Sequence, residues 1–247
     1  MTRRVPIRGQ ISKLLIGLCL VPVFFTWSAV GQETANDSAQ ANRDRLVVET
    51  LLRLEGYDLE SNARAKSAVL RHLKRQQGKA EYVKLARHFQ LKETVPGLVE
   101  LALARADETV GAEAVSLVVK FDALKQMRLV VDGKHPERAA SALQALGHVD
   151  DRSVRAYLKS LVSDSSRSRA VRNGAARSLG RTRLGERELL DLARGKKVLE
   201  DTRFAVGNIL LASGDPGLRA EAGKYFKLPA GSNSIPLPPI AQLIKLS

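Results

Sequence analysis

The side chains best suited to acid–base or metal chemistry are not spaced as a ligand set in this chain. Its four histidines are His72, His88, His135 and His148. None has a histidine or cysteine partner four residues away, which is the spacing that presents two zinc ligands on one face of a helix. His72 falls on an apolar stripe, which is typical of a core histidine bonded to a backbone carbonyl. The sequence therefore predicts no metal site and no bound cofactor.

The nearest approach to an acid–base pair is His148 beside Asp150 and Asp151. Neighbouring charged residues in a turn between helices usually cap a helix or face water, so catalysis there is disfavoured. The chain also lacks the Gly-x-Ser-x-Gly, phosphate-loop and Gly-x-Gly-x-x-Gly patterns of hydrolases, nucleotide hydrolases and dinucleotide-binding enzymes. We therefore expect a protein without enzymatic activity.

The first 31 residues have the three parts of a secretory signal. Four basic residues lie before residue 14, residues 14–25 are apolar, and Ala29-Val30-Gly31 offers small residues to a signal peptidase. The apolar run is shorter than the roughly 20 residues that span a bilayer. We expect cleavage near Gly31 and a mature protein in the periplasm or cell envelope. The sequence leaves open whether the general or the twin-arginine pathway exports it.

Removal of this signal would also remove Cys19, which is the single cysteine. A mature chain without cysteine excludes disulfides, thiolate zinc sites, cysteine nucleophiles and thioether-bound haem. The formal charge of the whole chain is +14, and the signal carries four basic and no acidic residues, which leaves +10 for residues 32–247. In an exported protein such a charge points to anionic envelope polymers, membrane surfaces or acidic proteins rather than nucleic acid; a basic surface without a specific ligand is an equal alternative.

After a polar segment at 32–42, which reads as a flexible leader, residues 43–226 form a succession of short segments with apolar stripes at helical spacing. The stripes predict about twelve helices and no strand, which is an all-α fold. Those assigned around residues 139–146, 154–161, 171–178, 189–193, 204–212 and 218–226 suggest three consecutive helix pairs. Only 4% of the chain is aromatic, which suits closely packed helices better than a β-sandwich.

Three of these helices are predicted to close at glycines with a nearly constant spacing. Gly147, Gly180 and Gly214 are 33 and 34 residues apart, which is the period of a stacked two-helix unit. A glycine at this position can adopt the positive φ that ends a helix, so we expect the three glycines to serve as such caps.

The sequence resembles the HEAT-repeat family, whose units consist of a helix, an Asp-containing turn and a second helix that begins Val-Arg and ends Ala-Leu-Gly. The best match is Val171-Arg172 with Ala175-Ala176 and Leu179-Gly180, and residues 94–102 look like the first helix of a unit. The resemblance covers residues 43–226 and implies a right-handed α-solenoid of about six helix pairs. It is ragged before residue 135, where Gly111 replaces the family arginine. These are packing motifs, so they imply an architecture and not an activity.

Residues 227–247 contain a proline-rich stretch and a short apolar end, which predict an extended linker and tail. This tail resembles the connector before the c-type cytochrome domain of large exported HEAT proteins of planctomycete-type bacteria, but the haem-attachment Cys-x-x-Cys-His is absent. One functional hypothesis is therefore a split or truncated module of such a multidomain protein, without a haem site of its own.

The other hypothesis is a free-standing envelope scaffold that mediates protein–protein interaction, and arginines clustered around one repeat are its candidate partner-binding residues. Clustered cations favour encounter with an acidic partner. Arg172 occupies the family Val-Arg position, so we expect it to pair with a turn acid such as Asp164 instead. The sequence indicates no oligomeric state. The candidate binding residues are Arg167, Arg169, Arg177, Arg181 and Arg183.

Overall fold

The computed structural model describes residues 29–54 and 56–226, with side chains described from residue 37 onward. This part of the chain contains twelve α-helices, two short 3₁₀ turns and no strand, which confirms the all-α prediction. The predicted signal before residue 29 and the predicted linker and tail at 227–247 lie outside the described residues. The helices are α1 (Ala29–Leu51), α2 (Ala63–Arg75), α3 (Ala80–His88), α4 (Val95–Ala104), α5 (Thr109–Lys120), α6 (Leu124–Val131), α7 (Pro136–Leu146), α8 (Arg152–Ser163), α9 (Arg169–Leu179), α10 (Arg183–Arg194), α11 (Glu200–Leu211) and α12 (Pro216–Ala222).

The helices contact one another in two rows. Helices α4, α7, α9 and α11 touch in succession and form what we call the first row. In the second row α3 touches α5, and α10 touches both α8 and α12. The rows pack together through α4 on α5, α8 on α9 and α11 on α12, while α1 lies on α2 and α6 lies on α7. Most contacts therefore join helices that are near in sequence.

The apolar stripes predicted from helical spacing supply much of the core between these rows. Leu143, Leu158, Leu179 and Leu189 are each almost inaccessible to solvent. Alanines such as Ala175 and Ala176 are also fully buried, and their small side chains let neighbouring helices approach closely. Two large residues of the predicted stripes are exposed instead, namely Leu54 at 47% and Phe204 on α11 at 64%.

The pairing of helices differs from the pairing suggested by the stripes. The sequence pairs the stripe of α7 with that of α8 and the stripe of α9 with that of α10, but α8 packs most extensively on α9, and α7 packs on α6 and α9. The turn after α7 directs α8 into the second row, where it lies beside α10. The predicted pairing of α11 with α12 is confirmed, whereas α7 does not pack substantially on α8, and α9 packs more extensively on α8 than on α10.

The beginning of regular structure also differs from the prediction. Residues 32–42, predicted to form a flexible leader, lie within α1. The buried carboxylate of Asp44 anchors this helix to α2, because it accepts a 2.8 Å hydrogen bond from Arg71 Nη2 and a second from Arg75. Once a turn is fixed in this way, the helix extends at little cost through the Ala- and Gln-containing residues before it.

Ionic contacts join successive helices of the two rows across their surface. Arg138 of α7 pairs with Glu100 of α4 at 2.6 Å, and Arg87 of α3 pairs with Glu113 of α5 at 3.2 Å. Each such pair is largely exposed and contributes little stability on its own. Some arginines take no part in such pairs, and Arg169, Arg177 and Arg183 have no ion-pair partner among the described residues.

Candidate functional site

A groove between α7 and α9 is the concave surface that includes residues from the predicted arginine cluster. It encloses about 410 Å³. Its floor forms where the two helices approach closely, because a Cβ added to Gly174 would lie only 2.9 Å from Leu143 Cδ1. The Ser178 hydroxyl locks this approach by donating a 2.7 Å hydrogen bond to the carbonyl oxygen of Leu143. Ala139 and Val171 complete an apolar floor.

Both charged residues that line this groove are arginines. Arg177 is exposed on α9, and within the described residues its guanidinium has no hydrogen-bond or ion-pair partner. Arg181 follows α9 and is held in place, since its Nη1 lies 2.5 Å from His148 Nε2 and 3.4 Å from the carbonyl oxygen of Gln144. The groove therefore combines an apolar floor with one free and one oriented cation.

The other three candidate arginines lie outside the groove. Arg167 is in the loop between α8 and α9, where it pairs with Asp132 at 2.7 Å and with Asp164 at 3.3 Å. Arg169 and Arg183 are exposed first residues of α9 and α10, and no acidic side chain of the described chain lies within 4 Å of their guanidinium groups. The structure thus brings Arg177 and Arg181 together and separates them from the rest.

Arg172 is buried and ties α9 to α11, as a structural role requires, but its carboxylate partner is Asp201 and not the predicted side chain of Asp164. Its Nε donates to the Thr202 hydroxyl at 3.2 Å, and its Nη1 donates to the backbone carbonyl oxygen of Asp164 at 3.5 Å. Asp164 instead accepts from Ser166 and Arg167 in its own loop. Asp164 is therefore used within its own loop, and Arg172 pairs with Asp201 of α11, which is the next helix of the first row.

The side chains around His148 are used for structure. Asp151 caps α8 by accepting from the backbone of Ser153, and Asp150 pairs with Arg155. Burial, and then the positive charge of Arg181, lower the pKa of His148 below its ordinary value. Because a guanidinium can only donate, His148 accepts from Arg181 through Nε2, and it is not paired with Asp150 or Asp151. Among the described residues, no group of three or more histidine, cysteine and acidic side chains could hold a metal ion.

A second and larger groove, of about 820 Å³, lies on the other side of α7, between α4 and α6. Its wall includes Leu129, which is 56% exposed, and the paired side chains of Glu100 and Arg138. Sequence reasoning did not single out this groove. The signal available was Leu129, an apolar residue on the short helix α6 that falls outside the buried stripe of Leu124, Met127 and Val131.

Comparison with protein families, curated proteins and solved structures gives no match to this chain. The described part of the chain accordingly defines an all-helical protein. Within the same residues, no helix combines the length and the apolar character of a membrane span.

Proposed function

We propose that this chain is an exported, non-enzymatic scaffold of the HEAT-repeat type that binds a protein partner in the cell envelope. In this proposal about six helix pairs form a right-handed α-solenoid, and the first row provides the binding face. The observation that carries the proposal is the succession of contacts from α4 through α7 and α9 to α11. Units that touch mainly their neighbours are typical of repeat proteins, whose extended faces bind other macromolecules.

Two further observations support a binding role over a catalytic one. The two carboxylates that are close to His148 in the sequence, Asp150 and Asp151, pair with an arginine and cap a helix, so both members of the predicted acid–base candidate already have structural partners. The α7–α9 groove combines an apolar floor with cations, which is the composition of a recognition surface rather than of a proton-transfer site. Export rests on the charged start, the apolar run and the small residues of the first 31 positions.

The proposal is tested by cell fractionation, N-terminal sequencing and affinity capture from an envelope fraction. We expect a mature chain that begins near Gln32, is found outside the cytoplasm and captures a specific protein in stoichiometric amounts. A cytoplasmic chain that retains Arg3 and Arg4 would contradict the export claim. A correctly exported chain that captures no protein above the level of a scrambled-surface control would contradict the scaffold claim.

A further inference from the structure

The α7–α9 groove differs from the rest of the first-row surface in its charge balance. In the neighbouring groove the Arg138 cation is matched by the carboxylate of Glu100. In the α7–α9 groove no acidic side chain is part of the lining, and both charged lining residues are arginines. Asp107, which accepts a hydrogen bond from the lining residue Gln144, lies outside the lining. This groove is therefore the first-row surface whose charge remains uncompensated.

The neutral polar groups of the groove are already hydrogen-bonded within the protein. The Ser168 hydroxyl caps α9 by accepting from the backbone N–H of Val171, and the Ser178 hydroxyl donates to Leu143. The charged donors available to a ligand are those of the Arg177 guanidinium and the N–H groups of Arg181 that are not already hydrogen-bonded. A guanidinium presents a planar fork of N–H groups that fits a carboxylate through two parallel hydrogen bonds.

We propose that this groove binds an extended segment of the partner protein that carries carboxylate side chains, with one carboxylate on Arg177, another at Arg181 and an apolar side chain on the floor between them. The inference rests on the proposed function and specifies the chemistry of its partner. Arg177 on α9 and Arg181 just after the end of α9 both line this one groove, so a single short segment can reach both. The volume of about 410 Å³ accommodates a few side chains and not a folded domain.

The apolar floor favours a peptide over an anionic polymer as the ligand of this groove. A polymer of phosphates or sugar acids needs cations along an open surface and gains nothing from the accessible apolar side chains of Ala140 and Val171, whereas a peptide can place an apolar side chain on them. The floor is also narrow, because Gly174 brings α9 against Leu143. We therefore expect binding to require both the carboxylates and an apolar residue between them.

The test uses the whole mature chain, labelled for NMR, and a capped synthetic peptide of Glu, Leu and Ala, with a counterpart in which every Glu is replaced by Gln. We expect the Glu peptide to shift backbone amides in residues 136–147 and 168–181, and the Gln peptide to bind about tenfold more weakly, as expected for the loss of charged contacts. Arg177→Gln should weaken binding of the Glu peptide by a similar factor, and the affinity for this peptide should fall as the salt concentration rises.

The matched control is Arg183→Gln, because Arg183 is also an exposed and unpaired arginine but does not line the groove. We expect it to change the affinity less than about twofold, as is usual for a cation at the edge of a site. Circular dichroism should be the same for both variants, since Arg177 makes no contact that its removal could break. Equal binding of the Glu and Gln peptides, shifts outside the groove, or no binding at all would overturn the inference.

Failure of this inference is distinguishable from failure of the proposed function. If the Arg177→Gln variant and the unmodified chain capture the same envelope protein equally well, and the Glu peptide does not displace it, the groove inference is wrong while the scaffold proposal survives. If the unmodified chain captures no envelope protein, the scaffold proposal itself is contradicted.

Discussion

Two helices of the first row and three helices of the second row end in different ways. Helices α7 and α9 end at Gly147 and Gly180, both with ordinary helical φ angles of −65° and −70°. In the second row, α3, α5 and α10 are each followed by a non-glycine residue in the left-handed region, with φ between 51° and 57°. The left-handed residues are Gln90, Asp122 and Lys196.

This difference shows that the first-row glycines serve helix packing and not backbone conformation. A Cβ on Gly147 would lie 2.9 Å from Ser178 Cα of the next first-row helix, which is closer than real Cβ atoms approach. The ends of α3, α5 and α10 use the hydrogen bonds of a left-handed cap instead. The backbone N–H of Lys197, for example, donates to the carbonyl oxygen of Leu192 at 2.9 Å.

The largest effect is expected from a polar residue in the closely packed first row. Leu179→Asp places a carboxylate where the leucine is 1% exposed, so we expect a loss of about 4 kcal/mol in the free energy of unfolding from lost burial and an unpaired buried charge. Phe204→Asp in the same row is the control. Phe204 is 64% exposed, and its replacement should change stability by less than about 0.5 kcal/mol. Urea unfolding of both variants measures the difference, and equal losses would show that the assigned core is incorrect.

The next largest effect on stability is expected from an alanine substitution at one of two glycines that have similar positions in the sequence pattern. Gly147→Ala forces its Cβ against the backbone of Ser178, and we expect a loss of about 2 kcal/mol from overpacking between α7 and α9. Gly214→Ala meets no atom within 4 Å and has no positive φ, so it should be neutral or stabilise by about 0.5 kcal/mol. If thermal unfolding ranks the two variants in the opposite order, close packing does not explain the first-row glycines.

A smaller effect of opposite sign is expected in the second row. Lys196→Gly relieves the left-handed strain of a side chain at φ 53°, and we expect a gain of about 0.5 kcal/mol after allowing for the greater freedom of glycine in the unfolded chain. Lys197→Gly, at the adjacent position with negative φ, should instead destabilise slightly. A loss of stability in the first variant would contradict the role assigned to these caps.

The smallest effect concerns pH at a first-row turn. Burial and Arg181 lower the pKa of His148 in the folded state, so the unfolded chain binds the proton more tightly. The stability that this histidine provides is present above its unfolded pKa of about 6.5 and is lost as pH falls through its lower folded pKa. His148→Gln should therefore reduce the slope of unfolding free energy against pH between neutral and mildly acidic conditions. The slope that remains in this variant is expected to come from His72, whose pKa is also lowered by burial.

Spacing of apolar residues predicted the helices and many core positions, because burial on one face of a helix leaves a direct trace in the sequence. Leu143, Leu158 and Leu179 are buried as their stripes required. The three evenly spaced glycines show the limit of the same reasoning. Gly147 and Gly180 do close their helices, but Gly214 lies two residues beyond the cap of α11, and none of the three has the predicted positive φ. The packing distance between helices, which explains why Gly147 and Gly180 are glycines, is not encoded in the local sequence.

The candidate site was only partly predictable for a similar reason. An excess of arginine is visible in the sequence, but which of the arginines are paired depends on which acidic side chains the fold brings near them. Asp132 reaches Arg167 from the turn after α6, and Asp201 reaches Arg172 from α11, whereas no acid of the described chain reaches Arg177. Gly111, a departure from the HEAT pattern, has a similar explanation in packing, since a Cβ there would lie 2.0 Å from the carbonyl oxygen of Arg105.

The most direct test of the account is hydrogen exchange on the mature chain and its Leu179→Asp variant, since the central claim is that each unit contacts mainly its neighbours. We predict that amide protection falls across residues 140–210, where α7, α8, α10 and α11 surround α9, and is retained in α2 and α3. Uniform loss of protection throughout residues 43–226 would indicate one cooperative globule and contradict the repeat architecture. Unchanged protection in residues 140–210 would show that the packing assigned to α9 is wrong.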